Sequence, residues 1–206
     1  MLPRPFSSPF LFSFFSLFYY FRLSESGCFR YLPYVAVKWY DCRGCRLCEL
    51  ACVRFHEGVA NPELSRIRVY DFYPGPMHIP VVCTTCSDHP CATACPTGAL
   101  AFDGKRMVVD TETCLGSSCA ACVTTCSSQR SGAIHFAGAG ADSPVVCDHC
   151  GGSPKCVGAC PFDVLEYVPD LVDGRHMAES PSKIAQDIAE RWKPATANKR
   201  LGANLG

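Results

Sequence analysis

Sixteen cysteines fall into four groups of four: Cys42, Cys45, Cys48 and Cys52; Cys83, Cys86, Cys91 and Cys95; Cys114, Cys119, Cys122 and Cys126; and Cys147, Cys150, Cys156 and Cys160. The seventeenth, Cys28, stands outside them. Every group closes with three residues between its last two cysteines, and a proline comes directly after the last one at Pro96 and Pro161. The first group has the spacing C-x2-C-x2-C-x3-C, a run whose thiolates take up a 4Fe–4S cubane. Three chemistries compete for such thiols. Cysteines two residues apart on a tight loop rarely meet disulfide geometry with each other, and long-range pairing does not require repeated quartets. Structural zinc usually takes two distant C-x2-C knuckles, whereas Cys42 to Cys52 are closely packed. The pattern predicts four 4Fe–4S clusters, with a structural zinc scaffold as the rival of another class.

The ligands need elements that reach two places. The first three cysteines of a group are expected on a short loop that curls around one cubane. The fourth is expected a turn further on, at the start of a helix, pointing to the other cluster of a pair as in two-cluster ferredoxins. A proline there has a fixed φ and no N–H, which sets the angle at which the chain leaves the cluster.

The chain has 206 residues, enough for one or two compact domains, and carries 19 basic and 19 acidic residues. That balance gives no sign of nucleic acid as a partner. An oxidised cubane with four thiolates carries about −2, so four would leave the loaded protein near about −8. Seventeen cysteines mean disulfides in a secreted chain and metal binding in a reducing compartment; the metal reading places the protein in the cytoplasm. Glycine and proline reach 16 each, so the clusters are expected to replace much of an apolar core, and the iron-free chain to be largely unfolded.

Residues 1–34 stand apart. Phe10 to Phe21 is aromatic or apolar except at Ser13 and Ser16. It is too short to span a membrane. It resembles the apolar stretch of a signal peptide, with Arg4 ahead of it but without a twin-arginine pair or a small-x-small cleavage site. An over-extended translation start, with the protein proper beginning near Val35 or Val37, is the reading preferred over an export or membrane-surface segment and over a partner-binding extension. Cys28 is not expected to be a ligand.

Residues 35–168 read as the four-cluster domain. Val35 to Lys38 is a short strand, Cys45 to Glu57 a helix ended by Gly58, and Arg66 to Tyr73 and Ile79 to Cys83 two further strands. Ala99 to Phe102 and Met107 to Asp110 form a hairpin across Asp103-Gly104. Ala133 to Phe136 and Pro144 to Cys147 make a looser one, and Val164 to Val168 closes the domain. The groups start at 42, 83, 114 and 147, an internal repeat. In the tail, 169–206, Ser180 caps a helix with Pro181 at its first position. Ile184, Ile188 and Trp192 form an apolar stripe on it. That stripe packs on the helix's own module, or else docks a larger subunit.

The segment Cys42-Arg-Gly-Cys-Arg-Leu-Cys-Glu-Leu-Ala-Cys-Val-Arg-Phe-His-Glu-Gly, with Asn61-Pro62, Ser65-Arg-Ile-Arg-Val69, Ile79-Pro-Val-Val-Cys83, Ala94-Cys-Pro-Thr-Gly-Ala99 and Cys147-Asp-His-Cys150, resembles the small iron–sulfur subunits of tungsten-dependent aldehyde:ferredoxin oxidoreductases and benzoyl-CoA reductases. More broadly it is similar to the four-cluster electron-transfer subunits of dimethyl sulfoxide reductase-type molybdopterin enzymes. The resemblance covers Val35 to about Val168. It implies an α+β fold of two ferredoxin-like dicluster modules with short β-hairpins and small helices. It also implies a wiring in which Cys42, Cys45 and Cys48 share a cluster with Cys160; Cys147, Cys150 and Cys156 with Cys52; Cys83, Cys86 and Cys91 with Cys126; and Cys114, Cys119 and Cys122 with Cys95. The third group departs from the family. Leu115, Gly116, Ser117 and Ser118 separate its first two cysteines, Ser127 stands where proline is expected, and Ser127 to Arg130 is an added stretch. Its cluster is the least secure of the four.

No residue reads as catalytic. His56, His78, His89 and His149 lie near cysteine groups, where hydrogen bonding to backbone or tuning of a cluster is expected rather than ligation. Arg43, Arg46, Arg54, Lys105 and Arg130 raise a cluster's potential, dock an acidic ferredoxin, or are solvated charges. The expected function is one-electron relay between a tungsten or molybdenum pterin catalytic subunit and a carrier such as ferredoxin. The runner-up is the corresponding subunit of a membrane-associated molybdopterin reductase or formate dehydrogenase, reaching the membrane only through a partner subunit.

Overall fold

The computed structural model describes residues 32–72, 77–171 and 179–192. The expectations for residues 1–31, Cys28 among them, lie outside the described residues.

Four helices carry the cysteines: α1 (Leu47–Glu57), α2 (Pro90–Thr93), α3 (Ala121–Gln129) and α4 (Lys155–Ala159). The third cysteine of each group (Cys48, Cys91, Cys122, Cys156) is the second residue of its helix, and the fourth comes one turn later. This corrects the expectation that the fourth cysteine opens the helix. The reason is local. Arg46, His89 and Ala120 precede the first three helices at φ of +58°, +40° and +48°, and this left-handed step turns the loop into the helix one residue before the third cysteine's own turn begins. The fourth helix is entered instead from Pro154, whose ring forbids positive φ. The residue directly after the fourth cysteine decides helix length. Pro96 and Pro161 cannot continue a helix, and α2 and α4 stop after four and five residues. Val53 and Ser127 allow α1 and α3 to run on to eleven and nine. Gly58, at φ +70°, then ends α1 with its N–H on the Arg54 carbonyl at 3.2 Å. Ser127 to Gln129, expected as an added stretch, is the last turn of α3 and Arg130 its C-cap.

Among the described residues the strands form three two-stranded antiparallel sheets. Strand β1 (Leu32–Val37) pairs with β6 (Leu165–Leu171), Val37 opposite Leu165, so the two ends of the cysteine-bearing region are stitched together. Leu32 and Tyr34 are buried in it, so the sheet begins before Val35. Strands β2 (Ile67–Phe72) and β3 (Met77–Val82) form a second pair. Strands β4 (Leu100–Phe102) and β5 (Met107–Val109) form a third, across a turn in which the Asp103 carboxylate accepts the N–H groups of Lys105 (2.8 Å) and Arg106 (2.9 Å). The looser hairpin expected at 133–147 is reduced to a single bridge between His135 and Val145.

Two apolar clusters are built around sulfur. One packs Val35, Val37, Ile67, Val69, Val82, Val164 and Leu165 with Cys48, Cys52, Cys147 and Cys156. The other packs Leu100, Met107, Ile134 and Val146 with Cys91, Cys122 and Cys126. Cysteine thus supplies four of eleven buried members in the first and three of seven in the second, which makes each core incomplete without whatever the thiols bind. The third cluster is conventional. Helix α5 (Pro181–Trp192), capped by Ser180 Oγ accepting the Lys183 N–H at 3.4 Å, lays Ile184, Ala185 and Ile188 on Met77, Ile79 and Val81 of β3. Ile184 and Ile188 of the expected stripe therefore pack on the protein's own hairpin. No helix among the described residues is long and apolar enough to cross a membrane.

Candidate metal centres

In α1 and α3 the third and fourth cysteines are four apart on the helix and share a face, whereas in α2 and α4 the fourth lies just past the helix end; in every group the two belong to different sets of sulfurs. Cys42, Cys45, Cys48 and Cys160 rim one hollow of about 330 Å³. Cys83, Cys86, Cys91 and Cys126 rim a second of about 380 Å³. Cys95, Cys114, Cys119 and Cys122 rim a third of about 350 Å³, all counted with the part open to solvent. In the remaining set, Cys147, Cys150, Cys156 and Cys52 lie close enough for their charges to interact. Each set takes three sulfurs from one group and one from another.

The first cysteine of every group receives a similar backbone contact. Two residues on, Gly44, Thr85, Gly116 and His149 all have positive φ, at +67°, +51°, +67° and +55°. This turns each of their N–H groups back onto the sulfur behind it: Gly44 onto Cys42, Thr85 onto Cys83, His149 onto Cys147, and Gly116 onto Cys114 at 3.5 Å. Such inward-turned amides make a concavity for an anion. Thr85 and His149 hold that conformation without glycine's freedom, at a cost of about 1–2 kcal/mol each. Sequence reading named His149 only for its side chain and missed Gly44, Thr85 and Gly116; Gly44 and Gly116 at a repeated offset were the available signal. The third cysteines sit at helix N-termini, where the backbone dipole favours negative charge. Among the fourth cysteines, Cys52 Sγ accepts the Arg66 N–H at 3.3 Å.

With the hollows holding only thiols, burial pushes Cys48, Cys91 and Cys156 up to about 12, aided by neighbouring cysteines. Burial holds Cys83 and Cys147 above the ordinary thiol range as well. Cys95 goes the other way: the Leu100 N–H and the Thr97 hydroxyl, 3.7 Å from its sulfur, lower it. The buried thiols raised in this way ionise readily only against a compensating positive charge, so binding of a metal there releases protons.

The described histidines bond mainly to groups other than these sulfurs. His56 turns both ring nitrogens to acceptors, the Cys52 carbonyl and Asp148 Oδ1, each at 2.9 Å, with Cys52 Sγ at 3.8 Å. His56, Asp148 and Cys150 are close enough to hold an ion among themselves, but Cys150 belongs to the fourth set of sulfurs and Asp148 is taken up by His56 and the Cys150 N–H. His78 bonds Asp71 at 2.7 Å and covers Gly44. His89 stacks on Phe102 at 4.2 Å beside the second hollow. His149 is buried, its Nε2 3.5 Å from both Thr85 Oγ1 and the Cys83 carbonyl, at the seam between the second and fourth sets. His135, which sequence reading did not single out, bonds the Glu63 carbonyl at 3.0 Å. Of the basic residues, Arg43 and Arg46 line the first hollow and Arg46 is held by Glu49 and Asp71. Arg54 bonds the Gly58 carbonyl, Lys105 lies on the β4–β5 turn, and Arg130 lines the second hollow.

Sets of four sulfurs, inward amides, helix N-termini and buried thiols raised by burial fit tetrathiolate iron–sulfur clusters. No protein-family model matches the sequence. Over 157 residues it is 43% identical to the polyferredoxin-like subunit of the aliphatic sulfonate oxidoreductase of Pyrococcus furiosus, covering 73% of this chain and 87% of that one. It is 32% identical over 143 residues to the electron transport protein HydN of Escherichia coli (60% and 81% covered). It is also 32% identical over 149 residues to the probable anaerobic dimethyl sulfoxide reductase chain YnfG of E. coli (62% and 69%). The chain belongs to this family of polyferredoxin-like iron–sulfur subunits, which transfer electrons within oxidoreductase complexes.

Proposed function

We propose that the sixteen cysteines hold four 4Fe–4S clusters in the sets described, and that the chain relays single electrons in the cytoplasm between a tungsten or molybdenum pterin catalytic subunit and a carrier such as ferredoxin. When bound, each cluster supplies a one-electron redox centre. The observation that carries the reading is the cross-group composition of the hollows: three local sulfurs and one distant one recur around spaces of similar size. The sets also form a series. Cys48 of the first faces Cys156 of the fourth set, Cys147 of the fourth faces Cys83 of the second, and the second and third share one apolar cluster through Cys91, Cys122 and Cys126. Cys45 and Cys119, at the two ends of this series, are exposed, whereas Cys52, Cys147 and Cys156 are buried. Electrons then enter and leave at the first and third sets, and the middle is insulated. The four-cluster domain is proposed to span residues 35–168 as its functional core, with 1–34 and 169–206 as appended segments.

Iron, acid-labile sulfide and zinc per chain after anaerobic purification test this. About 16 iron and 16 sulfide are expected for four cubanes. About 12 of each would remove one set from the proposal, and zinc without sulfide would end the electron-relay reading.

A further inference from the structure

Arg130 is the first residue beyond α3, in extended backbone (φ −141°, ψ −154°) that brings its side chain to the wall of the second hollow, beside Cys86 and Cys126. One Nη donates to the carboxylate of Asp88, which lies within the loop between Cys86 and Cys91; the other donates to the Gln129 carbonyl at 2.7 Å. Nε is buried and finds no hydrogen-bond partner among the described residues. A buried donor left without an acceptor is costly, and the acceptors a filled hollow adds are sulfurs. Of the arginines that line the first hollow, Arg46 is matched by two carboxylates, Glu49 and Asp71. Arg130 has Asp88 alone.

We propose that Arg130 is the positioning residue that sets the redox poise of the second cluster. Anchored by Asp88, its guanidinium lends a positive charge and an N–H donor to the sulfur shell, which favours the more negative reduced state and raises that cluster's reduction potential above the value it has without the arginine. The second cluster thereby becomes the place along the relay where an electron rests. The transfer it biases moves one electron between neighbouring clusters, one oxidised and the other reduced by one, with no bond or proton changing hands. The inference rests on the four-cluster reading above.

The test is an anaerobic redox titration of the full chain monitored by electron paramagnetic resonance, with iron counted in every sample. A chain that lacks about 16 iron before any substitution sinks the four-cluster reading itself. In the loaded protein, C86S marks which potential step belongs to the second hollow. R130Q is expected to shift that step's reduction equilibrium at least tenfold toward the oxidised form, ~59 mV for a one-electron couple, and R130K to restore part of it. D88N keeps the arginine and removes its compensating carboxylate, so it is expected to shift the same step the opposite way. A merely structural arginine would not produce shifts of opposite sign. R130Q with full iron and an unmoved step overturns the proposal. If R130Q loses iron, D88N decides: a raised step upholds the proposal and an unmoved one overturns it.

Discussion

Gly44→Ala is the most searching single perturbation of the site. Gly44 sits at φ +67° on the loop around the first hollow, and a Cβ there would lie 2.5–2.7 Å from three atoms of the His78 ring. That ring cannot simply swing away, because Asp71 holds its Nδ1 at 2.7 Å and Arg46, on the same loop, holds Asp71 at 2.6 Å. Two costs add. Alanine in the left-handed region costs about 1 kcal/mol relative to glycine. Forcing the ring aside costs about 2 kcal/mol, the middle of the range for overpacking. Gly58 separates them: it has φ +70° but nothing within 4 Å of its Cβ position, so Gly58→Ala carries only the first cost. The difference of about 2 kcal/mol corresponds to roughly 30-fold in the population of opened loop. Iron release to a chelator under anaerobic conditions measures it. G44A is expected to lose about four of about 16 iron some ~30-fold faster than G58A, and H78A in the G44A background to restore most of the difference. Equal release from G44A and G58A, or no rescue by H78A, would refute the argument that this ring packs the loop onto the first cluster.

The same geometry sets three further outcomes. C160S and C52S remove different clusters although each takes about four of about 16 iron: C160S abolishes the spectroscopic signal also lost in C42S, and C52S the one also lost in C147S. Asp71 has its carboxyl lowered by the His78 hydrogen bond and then by Arg46. A depressed folded-state pKa gives stabilisation that is complete above the unfolded value of about 3.9 and disappears as pH falls through the lower folded one. The melting temperature of D71N should therefore lie below wild type at about pH 6 and converge with it toward about pH 3; a gap independent of pH contradicts the network. Ile188 is 2% exposed against β3, so I188A should cost about 2–4 kcal/mol in thermal unfolding while leaving the iron content of the folded chain nearly unchanged, since α5 supplies no cysteine and reaches the sulfur sets only through Cys83 at the edge of its cluster.

The sequence by itself determined the proposed ligand set and several local elements, because their signals are written at short range: closely spaced quartets, helix-stopping prolines at 96 and 161, Gly58 as a C-cap, Ser180-Pro181 as a helix start. Spacing of that kind is read by the local backbone, and the elements it marks most strongly, α1, the β2–β3 and β4–β5 pairs and α5, formed where it indicated. It also placed the fourth cysteine at a helix start, because positive φ at Arg46, His89 and Ala120 has no mark in residue type, and it gave 133–147 a hairpin where only the His135–Val145 bridge forms. Which group lends its fourth sulfur to which hollow entered only through family resemblance, since spacing does not encode a partner in a distant group. In the structure the pairing comes from packing: β1 against β6 carries Cys160 to the first loop, and α2 against α3 crosses the second and third groups. Tertiary structure alone also sorted the charged residues. Arg46 and Arg130 looked alike as basic residues beside cysteines, and only their surroundings separate one neutralised by two carboxylates from one with a buried, unpaired Nε at the wall of a hollow. The physical reason is that the effect of a charge depends on solvent exposure and on counter-charges brought near by folding, and neither is a property of residue type.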